Sequence, residues 1–522
     1  MHQVLYNNSF IDGFINNSTT NTAIITKKGE TNWQTFNQLI DDLAANLVLN
    51  GLQKGDRCLF LIRPSLESIV VLLAIMRAGG VVVAADIAMG MEVFESRVKL
   101  ANPTWVFIES VLLTINRFPV LANLLRKLGQ QIPNFSDILK QKKIVKAVNI
   151  WFGTYPESLD LKDLMNSAPA QKLDQLNSDQ SAPAQIIFTS GTTAAPKAVV
   201  HSTGSFLSMI ELIQKKLNAD DKDVFYTDQY YIIFPALYSN SKVIVPGSEK
   251  FSAKKWLAQI AEHKVTITFE IPSKLLQVID YCLKYNLKIP NHLHTIIVGS
   301  SPVLSGFLHK LKQVLYPFTK VWCIYGMTEI LPIAGIEMTE KLEYKGTGDI
   351  LGKPFEGVKT KLLSDGELVV GGSNQCWGYL PDTKLDQINT GDICRIDEQG
   401  RLVLLARKKD MIIKGNYNIY PTLFEKIISE IEGVNKCAMI GQYNNTNQEE
   451  QIVLFVEPDS QVTEKQKFIK SIKNQLLSGK NSIDLYAQPD TIILLDHFPH
   501  SGRSQKIDKQ KLKKLLESDQ YA

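Results

Sequence analysis

Cysteine, histidine and unbroken apolar runs are scarce in this chain of 522 residues, and each scarcity excludes something. The six cysteines, Cys58, Cys282, Cys323, Cys376, Cys394 and Cys437, are scattered with no C-x-x-C. That argues against a disulfide scaffold and a cysteine zinc site, and reads as buried free thiols in a reducing compartment. Of eight histidines the closest pair is His292 and His294, and no Cys/His cluster has zinc spacing. Neither sign of charge dominates. The 57 basic and 53 acidic residues leave a formal +4, too little to argue for a nucleic-acid partner. The longest apolar stretch, from Ile69, is interrupted by Arg77, Gly79 and Gly80, so no transmembrane segment is expected. The N-terminus lacks a basic segment leading into an apolar one. No secretory signal is expected, and the expected location is cytoplasmic. Internal repeats and long low-complexity tracts are also missing.

What remains is an ordinary globular composition, 44% hydrophobic and 21% charged, over a length that predicts two or three domains. From Trp33, the apolar residues Phe36, Leu39, Ile40, Leu43 and Leu47 recur at helical spacing, and Gly51 ends that helix. "RCLFLI" follows as a strand, Leu66 to Ala78 as a helix and "VVVAAD" as a strand. The alternation returns after residue 200, with "KVIVP", "VTITFEI", "LHTIIVGS" and "KVWCIYG" as strands between helices. Such alternation predicts parallel sheets covered by helices. From about Gly346, short strands with Gly and Asp turns predict antiparallel hairpins. "RKKD", residues 407 to 410, is a polar break, and the chain beyond it reads as a small α+β unit. The expected domains are 1–408 and 409–522. Residues 136 to 180, rich in Lys, Asp, Gln and Ser, are the least readable and are expected to hold a surface insertion.

"IIFTSGTTAAPKAVVHS", residues 186 to 202, begins as a strand and leads toward a helical segment. Backbone amides of a small-residue turn form an anion-binding nest. Thr189, Ser190, Thr192 and Thr193 add hydroxyls around Gly191, and Lys197 brings a positive charge. The general GxxxxGK[ST] loop does not fit, because Pro196 precedes Lys197 and Ala198 follows it. An ordinary Ser/Thr loop explains the stretch as well at this level. "YGMTE", Tyr325 to Glu329, sits at the end of an expected parallel strand, where open α/β sheets place ligands. Thr328 can donate to a phosphate oxygen and Glu329 can hold Mg²⁺. Asp392 in "NTGDI", expected in a loop, and Arg407 in "LLAR" can serve a ribose, although each alone is more often a solvated charge. Lys414 falls in a turn of "IIKGNYNIYP". The basic stretch "FPHSGRSQKIDKQKLKKL" is by default a solvated helix, with a peripheral contact to anionic lipid left open.

In this order and at these separations, "TSGTTAAPK", "GSSPV", "YGMTE", "NTGDI", "GRLVLLARKKD", "IIKGNYNIYP" and "KIDKQKL" resemble the acyl-adenylate-forming superfamily, which includes the acyl-CoA synthetases. The resemblance spans Trp33 to Leu512. It implies a large N-terminal domain of two α/β subdomains and a β-barrel, with a small α+β C-terminal lid. It implies ATP- and Mg²⁺-dependent activation of a small-molecule carboxylic acid to an acyl-adenylate, release of pyrophosphate, and transfer to a thiol such as coenzyme A. By resemblance, Thr189, Ser190, Gly191, Thr192, Thr193 and Lys197 hold the ATP phosphates. Gly299, Ser300, Ser301 and Pro302 run along the adenine, and Tyr325, followed by Gly326, stacks on it. Thr328 touches the α-phosphate and Glu329 the metal. Asp392 and Arg407 bind ribose, Lys409 is the hinge, and Lys506 is the lysine of the first half-reaction. No protein nucleophile is needed. The carboxylate attacks the α-phosphate in line, and catalysis is positioning and charge neutralisation.

Three departures matter. The family usually has glycine where Ala194 and Ala198 stand, and alanine at a positive φ costs about 1–2 kcal/mol. That raises the alternative of a nucleotide-binding pseudoenzyme. Ser501-Gly502 is followed by Arg503, with the lysine only at 506, so Arg503 rivals Lys506. The aromatic, histidine-bearing segment usual in acyl-CoA synthetases is not evident in "FYTDQYYIIFPALYSNSKVIVPG". The expected acid is a fatty or β-hydroxy fatty acid. The alternative is a β-lactone synthetase acting on a long-chain β-hydroxy acid without coenzyme A. A carrier-protein partner and a homodimer are left open.

Overall fold

Short apolar runs separated by amphipathic helices assemble into two large sheets. The computed structural model describes residues 19–517 apart from 86–90, 119–134, 141, 148–157, 170–178, 189–196, 248–249, 382, 415–416, 445–448, 461 and 502–505. In the first sheet six strands pair in parallel, in the order Thr22–Thr26, Lys242–Ile244, Val224–Tyr226, Ile267–Glu270, Thr295–Val298 and Lys320–Met327. Their sequences are apolar at consecutive positions because both faces are covered. Ile297 enters one hydrophobic cluster, while its neighbours Ile296 and Val298 enter another. In the second sheet six strands again pair in parallel, in the order Pro183–Phe188, Val81–Ala84, Arg57–Leu61, Trp105–Glu109, Lys143–Ala147 and Ser158–Asp160, and three antiparallel strands extend it beyond Pro183–Phe188.

The connecting helices start where the sequence supplies caps. Asn32 accepts from the Thr35 amide and opens the Trp33–Leu49 helix, which buries Trp33, Phe36, Ile40, Leu43 and Leu47. A Ser65/Ser68 capping box opens Leu66–Arg77. The poorly readable 136–180 region gives, in its described part, the last two strands of the second sheet and the helices Ser136–Leu139 and Leu161–Asn166. The latter helix is tied to the Trp33–Leu49 helix by the Asn46 side chain, which donates to the carbonyls of Leu164 and Ser167 at 2.8 Å each.

The antiparallel unit is present, and among the described residues it forms no closed barrel. Ile330–Glu337, Asp349–Pro354, Leu402–Arg407, Ile388–Ile396, Glu367–Gly371 and Lys359–Leu362, together with Gly29–Asn32 at the opposite edge, bring the first sheet to thirteen strands. The first six of these are added antiparallel at one edge. Among the described residues Lys359–Leu362 pairs only with its hairpin partner, so the sheet stays open.

Beyond Arg407 the apolar residues form their own clusters. A three-stranded sheet, Val434–Asn444, Glu449–Pro458 and Thr491–Leu494, is covered on one face by Phe424, Ile428, Ile472 and Leu476, and on the other by Leu512 and Leu516. This unit touches the rest through a close backbone approach. A Cβ on Gly306 would lie 2.4 Å from the Ser429 carbonyl oxygen. The Lys426 ammonium adds a bond to the Gly348 carbonyl at 3.1 Å.

Candidate active site

The 186–202 stretch folds differently from expectation. Residues 189–197 are followed by a second strand, Ala198–Ser202, antiparallel to Pro183–Phe188, and the helix begins only at Thr203. Thr189, Ser190, Gly191, Thr192, Thr193 and Ala194 lie outside the described residues. Lys197 is exposed, with its ammonium 5.2 Å from the centre of the Tyr379 ring. Ala198 is fully buried within the strand, paired with Phe188, and its φ is not positive. Alanine there carries no backbone strain, so this departure does not speak for a lost activity.

The turn after Lys320–Met327 presents Thr328 and Glu329. Two residues that the sequence reading passed over hold it. His201 Nε2 lies 2.7 Å from the Thr328 carbonyl oxygen. A carbonyl only accepts, which assigns the proton to Nε2 and leaves Nδ1 facing the Ser205 hydroxyl at 3.4 Å. Burial pushes the imidazole below its ordinary range, so His201 is a neutral donor. The Tyr379 hydroxyl donates to Glu329 Oε1 at 2.8 Å, and Glu329 is only 5% exposed. No group of three His, Cys, Asp or Glu side chains forms a metal cage among the described residues. One buried carboxylate does fit Mg²⁺, which usually takes one or two carboxylates and fills its shell from phosphates and water.

Asp392 lies on a strand, not in a loop. It sits in Ile388–Ile396, directly opposite Arg407 at the end of Leu402–Arg407. Its Oδ1 meets Arg407 Nε at 2.6 Å and its Oδ2 accepts from the Tyr325 hydroxyl at 2.5 Å. Asp392 is 1% exposed, while Arg407 keeps exposed surface. Burial raises the Asp392 carboxyl, and Arg407 and Tyr325 pull it back toward the charged form. Burial beside this carboxylate also raises the Tyr325 phenol well above its usual range. Ser300, after the Thr295–Val298 strand, takes the left-handed conformation at φ +63°. A serine held there is uncommon, and such residues cluster at ligand sites. Its hydroxyl is 3.0 Å from that of Tyr231. Gly299 is buried, and a Cβ there would approach the Ile324 carbonyl oxygen to 3.2 Å. Ser301 and Pro302 follow without lining the cavity described next.

Part of this set lines one cavity of about 1100 Å³, whereas Tyr325, Glu329, Asp392 and Arg407 are not among its lining residues. Gly299, Ser300, Gly326, Thr328 and Lys506 line its mouth. Lys506, opposite Ser501 in a short ladder, is the only lining residue beyond Phe355 among those described. Lys506 keeps exposed surface, yet loss of water around its ammonium and the nearby Arg407 and Lys409 push it below the usual lysine range, against the pull of Asp392. Arg503 lies outside the described residues. Lys409 sits exposed in the short 3-10 turn Lys408–Asp410. Lys414 is paired with Asp490 at 2.7 Å. From the mouth the cavity continues along the Thr203–Leu217 helix, whose Phe206, Met209 and Ile213 face it at helical spacing.

A family model described as AMP-binding enzyme matches residues 14–380. The chain belongs to the AMP-binding enzyme family. As an AMP-binding enzyme it is an AMP-forming acid ligase, whose chemistry uses ATP and Mg²⁺. A 2-succinylbenzoate–CoA ligase of Listeria monocytogenes is 28% identical over 351 residues, 64% of this chain and 70% of that one. The peroxisomal OPC-8:0-CoA ligase 1 of Arabidopsis thaliana is 24% identical over 442 residues, 78% of this chain and 76% of that one. The fold is that of ATP-bound MatB from Rhodopseudomonas palustris, with a TM-score of 0.79 at 20% identity over 98% of this chain and 99% of that one. No described helix is long and apolar enough to cross a membrane.

Proposed function

We propose that this AMP-binding enzyme converts a carboxylic acid with an extended apolar chain into its acyl-adenylate, and then passes the acyl group to the thiol of coenzyme A. The observation that carries this reading is the continuity of one cavity from Lys506 and Thr328 into an apolar channel. The acid's carboxylate would lie at the mouth beside the Lys506 ammonium, with its chain along Phe206, Met209 and Ile213. Thr328, held through its carbonyl by His201, would face the α-phosphate. Glu329 would hold Mg²⁺, which offsets charge on the departing pyrophosphate. Ser300 and Gly299 would flank the adenine, with Tyr325 beside them. Arg407, steadied by Asp392, would meet the ribose, and Lys197 with residues 189–193 the phosphates. Attack of the carboxylate oxygen on the α-phosphorus forms one P–O bond as the bond to pyrophosphate breaks. The protein contributes position and charge, not a covalent step.

The boundary is proposed at 408/409, with Lys409 as the hinge. Among the described residues, the C-terminal unit brings a single side chain to the cavity, Lys506. Turning that unit would withdraw the ammonium and open the mouth to a thiol. Mass analysis of a mixture with dodecanoic acid, ATP and Mg²⁺ tests this. Dodecanoyl-adenylate is expected, and dodecanoyl-CoA once coenzyme A is added. Adenylate without thioester would reject the acceptor, and neither product across an acid panel would reject the activity.

A further inference from the structure

Four cations line the cavity: Arg63, Arg97, Lys216 and Lys506. Arg63 is held by Glu109, with its Nε 2.9 Å from both carboxylate oxygens. Arg97 is buried, with its guanidinium 5.4 Å from the centre of the Phe188 ring. Lys216 is different. Its ammonium has no hydrogen bond and no carboxylate within ion-pair distance among the described residues. It rests 3.7 Å from the centre of the Trp322 ring and 5.8 Å from that of Phe355. Burial lowers its basicity, which the more distant Glu340 only partly offsets.

The position of Lys216 is as informative as its lack of a partner. The cavity-lining face of the Thr203–Leu217 helix runs Phe206, Met209, Ile213 and then Lys216. Ten residues of helix separate Phe206 from Lys216, about 15 Å of apolar wall. His201, just before this helix, is bonded to Thr328 at the mouth. One apolar channel therefore has an ammonium at each end. Lys506 faces the reacting carboxylate, and Lys216 lies at the opposite end of the helix. A cation on an aromatic face is only partly compensated for lost water, and an anionic oxygen would complete it.

We propose that the Lys216 ammonium, at the far end of the channel, recognises an anionic group on the ω end of the acid, so that the substrate class is a long α,ω-diacid or a chain with an equivalent terminal anion. This rests on the acyl-adenylate reading above and deepens it. The test measures acid-dependent pyrophosphate exchange with dodecanedioic and dodecanoic acids, in the wild type, Lys216→Met and Lys216→Arg. Met keeps the apolar stem and removes the charge. The wild type should favour the diacid in kcat/KM by on the order of tenfold, the scale of one hydrogen bond to a charged group. Lys216→Met should bring the ratio of the two acids to about one or below, and Lys216→Arg should retain most of the preference. A wild-type preference for the monoacid, or a ratio that Lys216→Met leaves unchanged, would overturn the proposal and leave acid activation standing. Exchange with no acid at all, from folded protein, would instead overturn the acyl-adenylate reading and this proposal with it.

Discussion

Around Thr328 and Lys506, charged and polar groups are held against one another. Asp392 is held by Arg407 at 2.6 Å and by Tyr325 at 2.5 Å, Glu329 by Tyr379 at 2.8 Å, and the Thr328 carbonyl by His201 at 2.7 Å. Along the channel the wall is Phe206, Met209 and Ile213, side chains with no directional bonds to make. The two regions answer different needs. Charge that develops in a transition state is stabilised best by dipoles and ions already in place, which groups held in this way supply. An alkyl chain is held by area alone, at roughly 0.8 kcal/mol per buried methylene, so the channel selects by volume. Under the proposed reading, chemistry and choice of acid fall to different residues, and each half can be broken without the other.

The largest effect is expected from Lys506→Ala. Loss of a positioned charge at the reacting centre should cut pyrophosphate exchange by on the order of a hundred- to a thousandfold. ATP binding, followed by calorimetry, should stay nearly intact. If Arg503→Ala does this and Lys506→Ala does not, the wrong cation has been placed at the mouth. Alkaline pH should act in the same direction. The depressed Lys506 ammonium loses its proton at a lower pH than an ordinary lysine. Exchange should therefore decline earlier than the usual lysine range, and Lys506→Arg should move that decline upward.

Next in size is a change confined to the channel. Met209→Trp should reduce kcat/KM for dodecanoate by on the order of a hundredfold, as when one or two methylenes no longer fit. Exchange supported by a short acid such as butyrate should change little. Equal losses for both acids would mean that the channel does not hold the chain.

A smaller effect, at the mouth only, is expected from Asp392→Asn. It frees Arg407 and Tyr325 from their shared carboxylate and should weaken ATP binding by on the order of tenfold, with the chain-length profile unchanged. Unaltered ATP affinity would remove this pair from the nucleotide site.

The mildest concerns His201, whose folded-state pKa is depressed by burial below the ordinary 6.5. The unfolded chain takes up this proton first as pH falls. The contribution is therefore complete above about pH 6.5 and is lost progressively on acidification below it. His201→Gln, which can still donate to the Thr328 carbonyl, should flatten that part of the stability–pH curve in denaturant titrations at pH 8 and pH 5. An unchanged slope would show that another group titrates.

The parallel strands were legible because a run such as "TIIV" has no polar face to mislead, and its flanking glycines and caps mark its ends. The C-terminal unit was legible for the same reason. Closure was not, since whether antiparallel hairpins roll up or extend a sheet depends on edge pairing that local sequence does not encode. Asp392 read as a loop residue because Gly391 precedes it. That glycine does sit at φ +71°, but it does so inside an irregular strand whose pairing places Asp392 on Arg407. Tyr379 was out of reach of any motif. It stands fifty residues from Glu329 and is delivered by a two-residue strand paired with Val199 and Val200. Nothing in the sequence marks Lys216 off from its neighbour, and only the cavity distinguishes it from Lys215, which is exposed and paired with Glu356.

The most direct test of a charged mouth continuous with an apolar channel is acid-dependent exchange of labelled pyrophosphate into ATP, measured on the wild type with acetate, octanoate and dodecanoate. A steep rise in kcat/KM from acetate to dodecanoate is the expected result. Equal exchange with all three acids, or none with any acid from folded protein, would contradict it.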